Sequence, residues 1–240
     1  MPKVLMIVTA ADSLTLADGT SHPTGFWAEE LAAPHKVFRD AGVAVDIATP
    51  GGVAPTVDPI SLDSRGGVSD ADADAFRDYL VSIAGDLAKP LALADADATA
   101  YDAIFVPGGH GPMADLASDT DLGVLLNEAD DRGQLIAALC HGPAALLSAH
   151  RPDGTFTFAG RRLTVFTDAE ERQGGLGDAT PWGAESRLRE QGATIDAGQP
   201  WTSVVVIDDN LVTGQNPQSS ADTARAVLDK LGVTAGETRR

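Results

Sequence analysis

The sequence contains a single cysteine, Cys140, so no intrachain disulfide can form and nothing points to an oxidising compartment. It has no run of about 18 apolar residues, so no transmembrane helix is expected. The apolar opening is followed by no small-residue cleavage site, and Asp12 interrupts it too early for a signal peptide. A cytoplasmic protein is the expectation. Positive charge is scarce as well: 17 Lys and Arg against 35 Asp and Glu leave a net charge of −18. Such a surface repels phosphate backbones and anionic lipid, so neither nucleic acid nor a membrane surface is expected as a partner. The same acidity keeps a protein soluble. What the chain does have is core material, since 43% hydrophobic residues suffice to fill a globular interior.

The hydrophobic pattern alternates strands with helices. Short apolar, β-branched runs predict strands over 4–9, 43–49, 103–106, 134–139, 162–166 and 203–207, with a short one at 211–213. Helical spacing predicts helices over 24–40, 71–84, 119–131, 141–149 and 220–231. Residues 11–23 read as a polar loop. The Asp-rich stretch 53–99 shows one helix and no clear strand. No repeat or linker divides the chain, so a single domain over 1–240 is expected, with 53–99 an insert or cap. The alternation implies a parallel sheet covered on both faces, with reactive groups beyond the strands' carboxyl ends.

Cys140 stands at such an end. The predicted strand 134–139 runs into Cys140-His141-Gly142-Pro143 and then a helix, the shape of a nucleophile elbow with Cys in place of Ser. A helix N-terminus favours negative charge on the sulfur, and His141 can act as base or cationic partner. The same residues also fit a buried strand end, where free cysteine is common. Residues 107–112, Pro-Gly-Gly-His-Gly-Pro, end the preceding strand. Their glycines fit either a plain turn or an oxyanion hole built from the N–H groups of Gly109 and His141. His110 and Asp115 fit the same turn or a helix surface. Glu30 lies among apolar and aromatic neighbours near Pro34, which lacks an N–H and makes the helix kink or begin there. It reads as a first-turn acid complementing the helix dipole or as a carboxyl with a raised pKa that transfers protons. No His or Cys spacing suggests a metal, and no cofactor is expected.

Together these segments resemble the ThiJ/PfpI superfamily, in particular its branch of glutathione-independent glyoxalase III enzymes and small heat-shock chaperones. The resemblance runs through Thr24-Gly25 to Glu30 and Pro34, the 107–111 turn with Asp115, and Cys140-His141-Gly142-Pro143. It continues through Phe166-Thr167-Asp168 with the glutamate pair, Pro200-Trp201, and residues 212–219. It implies a flavodoxin-like parallel sheet sandwiched by helices, class I glutamine amidotransferase-like, and a homodimer. It also implies Cys140 as nucleophile, His141 as its partner, Glu30 as a buried acid/base and Gly109 as an oxyanion contributor, with His110 beside it. A triad acid follows Phe166, at Glu171 by ungapped counting, with Glu170 one residue away. The implied substrate is a small 2-oxoaldehyde such as methylglyoxal, converted to a 2-hydroxy acid, with deglycation as a related activity. A cysteine peptidase or amidase and a non-enzymatic stress chaperone or oxidant sensor are the alternatives.

Overall fold

Eleven strands and eight α-helices are formed in a computed structural model of the chain, which describes residues 1–174 and 176–233. The strands are β1 (Lys3–Ile7), β2 (Ser13–Thr15), β3 (Ser21–Pro23), β4 (Ala44–Thr49), β5 (Leu91–Ala92), β6 (Ala103–Val106), β7 (Leu135–Leu139), β8 (Arg162–Leu163), β9 (Thr194–Ile195), β10 (Val205–Asp208) and β11 (Leu211–Gly214). The helices are α1 (Ala28–Asp40), α2 (Asp70–Ser82), α3 (Ala84–Leu87), α4 (Gly111–Ala114), α5 (Thr120–Asp131), α6 (Asp168–Gly174), α7 (Ala184–Glu190) and α8 (Ser220–Lys230).

Seven strands form one sheet in the order β10-β11-β7-β6-β1-β4-β5, parallel except for the edge pair β10–β11. Strands β1, β6 and β7 are apolar on both faces because both faces are covered. Leu5, Ile7, Ile104, Val106 and Ile136 point to one side and pack with Leu116, Leu122, Leu126 and Phe158. Val4, Met6, Phe105 and Leu139 point to the other and pack with Leu31, Phe38, Val227 and Leu228. This is the expected flavodoxin-like sandwich. The chain passes from β1 to β4 and β5 on one side, then crosses back to β6 on the other. The crevice beyond the carboxyl ends of β1 and β6 is therefore a topological switch point, where such folds bind ligands.

Several local expectations are corrected. Residues 11–23 form the β2–β3 hairpin rather than an irregular loop. Helix α1 begins at Ala28 and not at Pro34, which lies inside it. The segment 53–99 contributes a strand after all, since β5 extends the sheet edge beside β4. Of the predicted strand 162–166 only Arg162 and Leu163 form ladder, and they pair with β9 outside the main sheet. The rest bonds elsewhere: Thr164 N–H donates to Thr213 Oγ1, and Phe166 N–H donates to the Cys140 carbonyl at 2.8 Å. The expected helix 141–149 is a 3₁₀ segment, Gly142–Ser148. Such short connectors commonly adopt i→i+3 bonding, seen here from Ala144 N–H to the His141 carbonyl. Among the described residues no helix is long and apolar enough to cross a membrane.

Candidate active site

Four stretches of chain converge beyond β1, β6 and β7. Cys140 follows β7 directly, with φ at 57°, a left-handed conformation uncommon for a residue with a side chain. Its N–H donates to the Gly214 carbonyl at 2.9 Å, and its own carbonyl accepts from Phe166 N–H. Those two bonds fix the strained residue and aim its sulfur out of the sheet. Backbone outliers of this kind cluster at functional sites. The sulfur is nearly buried yet lines a cavity of about 550 Å³.

Glu30, in the first turn of α1, is fully buried. Its Oε2 accepts from Gly108 N–H at 2.7 Å. Oε1 has no partner meeting the geometry of a formed hydrogen bond. The Cys140 thiol is the neighbouring side chain to which the carboxyl is coupled. Burial pushes the Glu30 carboxyl well above its ordinary range, and the thiol contact and Gly108 only partly oppose this. Of the two readings of Glu30, the carboxyl of raised pKa matches its full burial, and its place in the first turn of α1 matches the other as well. Close approach requires glycine at 108, where a Cβ would stand 2.6 Å from Glu30 Oε2 and 2.8 Å from both His141 N and the Leu139 carbonyl.

Burial also pushes the Cys140 thiol up, and the Glu30 carboxylate adds to this, while the His141 N–H at the sulfur opposes it. Burial first and the Glu30 carboxylate second thus outweigh, at the sulfur, the expected helix dipole, which a 3₁₀ turn supplies weakly. His141 Nδ1 lies 3.4 Å from the sulfur, and its Nε2 lies 2.7 Å from Glu171 Oε2. Glu171 Oε1 is 3.0 Å from His110 Nε2. Burial alone would raise the Glu171 carboxyl, but the charges and hydrogen bonds of His141 and His110 outweigh it and hold Glu171 well below the carboxylate range. An ionised Glu171 only accepts, so neutral His141 carries its proton on Nε2 and turns a lone pair on Nδ1 toward the thiol.

The glutamate pair has separate tasks. Glu171 faces the histidines, whereas Glu170 accepts from Thr167 N–H and Oγ1–H, Trp201 N–H, Gln215 Nε2 and Asn216 Nδ2. Glu170 therefore ties loops together and does not face the sulfur. Asp115 is likewise spent on the loop after β1, accepting from Thr9 Oγ1–H and from the N–H groups of Ala10, Ala11 and Leu116. Gly109 and His110 both line the cavity. His110, His141 and Glu171 place donor atoms within 4.8 Å of one another, a set able to hold a metal ion, although here those atoms bond to each other.

Sequence reasoning missed the opposite wall. His22 from the β2–β3 hairpin, Trp27, and Asp58, Ile60 and Arg65 from the 53–99 segment line the same cavity. No spacing pattern betrays them, because they come from three separate stretches: the hairpin, the start of α1 and the 53–99 segment.

Residues 22–230 match the DJ-1/PfpI family. The chain is 30% identical over 238 residues to glyoxalase 3 of Candida albicans, covering 95% of this chain and 98% of that one. It is 31% identical to the protein/nucleic acid deglycase HchA of Pseudomonas aeruginosa, covering 95% of this chain and 80% of that one. The crystal structure of glyoxalase III from Candida albicans superposes with a TM-score of 0.81 at 29% identity, covering 95% of this chain and 96% of that chain.

Proposed function

The chain belongs to the DJ-1/PfpI family, and from that premise we propose that it is a glutathione-independent glyoxalase, converting methylglyoxal and related 2-oxoaldehydes to 2-hydroxy acids through Cys140. The observation that carries this reading is a fully buried carboxyl of raised pKa beside the thiol of Cys140, which itself lines a cavity. A nucleophile alone would serve a hydrolase. Moving a proton between adjacent carbons needs a second group held against the first.

In this mechanism Cys140 sulfur adds to the aldehyde carbon as His141 Nδ1 takes the thiol proton, giving a hemithioacetal. The N–H groups of Gly109 and His141 face the developing oxyanion. Glu30, protonated at rest, gives its proton to that oxygen, and the carboxylate so formed removes the proton from the former aldehyde carbon and returns it to the neighbouring carbon, through an enediol. The product is a thioester of the 2-hydroxy acid, and water activated by His141 cleaves it, restoring the thiol. Glu171 holds the imidazole in the required tautomer. No external oxidant or reductant enters, because one carbon is oxidised as its neighbour is reduced. Deglycation of early aldehyde adducts on amines would use the same groups, in keeping with the name of the Pseudomonas relative.

The segment 53–99 serves as a cap in this reading, supported by the five residues it lends to the cavity wall. We further assign the protein to the cytoplasm, where a nucleophilic thiol stays reduced, and to a homodimer, as its family resemblance implies.

Purified protein supplied with methylglyoxal and no thiol cofactor should form lactate. Cys140→Ala should abolish it, and Glu30→Gln should lower kcat/KM by roughly 10²- to 10⁴-fold. Lactate formation that survives Cys140→Ala rules the mechanism out. Amine release from peptides or amides, with 2-oxoaldehydes inert, would favour the hydrolase instead.

A further inference from the structure

A cavity of about 550 Å³ is far larger than methylglyoxal requires, and lies within the roughly 300–1,000 Å³ range of sites for much larger ligands. From the buried His141 a row of rings, each more exposed than the last, leads outward. Phe166 lies 4.6 Å from the His141 ring, and Trp201 lies 5.6 Å from Phe166, nearly perpendicular to it. Ile60 and Leu176 add apolar wall. Nothing in the proposed chemistry uses these groups.

Trp201 is held in place at a cost. Its φ of 62° is left-handed, a conformation that a bulky side chain adopts only where the surroundings impose it. Two bonds impose it: the Trp201 N–H donates to buried Glu170 Oε1 at 2.9 Å, and the indole Nε1–H donates to Gln173 Oε1 at 2.7 Å. The residue nevertheless remains 39% exposed and lines the cavity, so core packing does not account for the strain. Glu170 thus acts as a positioning residue for an aromatic wall.

We propose that Trp201, backed by Phe166, determines specificity by receiving the substrate substituent remote from the reacting carbons. On this assignment the enzyme favours 2-oxoaldehydes with an aryl or bulky apolar substituent over methylglyoxal. The inference rests on the glyoxalase reading and deepens it. Aromatic contact there supplies binding energy far from the chemistry, which discriminates between substrates sharing one reactive head.

The test compares kcat/KM for phenylglyoxal and methylglyoxal in the wild type, Trp201→Gly and Trp201→Phe. The wild type should prefer phenylglyoxal. Trp201→Gly should lower the phenylglyoxal-to-methylglyoxal ratio by about tenfold or more, chiefly through KM, and Trp201→Phe should restore most of it. Glycine accepts the left-handed backbone, and Trp201→Asn, whose side chain also tolerates it, should lower the ratio alike. A ratio unchanged in both truncations overturns the inference and leaves the Cys140–Glu30 chemistry standing. A wild type that converts neither aldehyde overturns both.

Discussion

At the scale of single residues, the two adjacent glutamates show how one position of chain decides a role. Glu171 and Glu170 are both buried, yet one meets imidazoles and the other meets amides and a hydroxyl. The His141 imidazolium is disfavoured by burial and then by His110, with the Glu171 carboxylate opposing both. Its pKa therefore lies below the ordinary histidine value, and the acid limb of kcat/KM should fall below about pH 6.5. Glu171→Gln removes the opposing charge, so the limb should shift to still lower pH while kcat drops. A pH–rate profile of both proteins checks this; a limb moving upward would contradict the assignment of Glu171 to His141.

At the scale of elements, α1 carries a second unusual carboxyl. Burial, and then Asp72 in the first turn of α2, push Glu29 up to about 7. The folded state thus holds a proton that the unfolded chain releases near its ordinary pKa. Stability from this group is fully present below about pH 4.5 and is lost as pH rises through 7. Glu29→Gln should therefore raise Tm at pH 8 and change little at pH 4, as thermal unfolding at the two values would reveal. Legibility follows the same scale. Strand β6 was readable to the residue, and β7 and α5 to within one, because their apolar periodicity is dictated by burial on the sheet. Cys140, His141 and Gly109 stand out because elbow and glycine turn have local chemical signatures, whereas Glu30 is drawn out by its apolar setting near Pro34 and by the family resemblance. Strand β5 and the β2–β3 hairpin did not, being two and three residues long and held by partners distant in sequence. The strand read over 162–166 keeps its ladder only in β8, because side-chain and loop acceptors take over from Thr164 onward.

At the scale of the whole molecule, the acidic excess acts collectively. A net charge of −18 repels itself in the compact state. Raising ionic strength from a few millimolar to about 0.15 M, where the screening length is about 8 Å, should raise Tm by a few degrees in a salt titration. A Tm that falls with salt would show that attractive ion pairs dominate instead. The order of the sheet has its own corollary. Residues 30, 108, 140 and 171 come from four separate stretches of chain and meet only once β1, β6, β7 and β11 lie side by side. Turnover is accordingly a late reporter of folding: no early intermediate or excised half can turn over substrate, and activity returns during refolding only as the last central pairing closes.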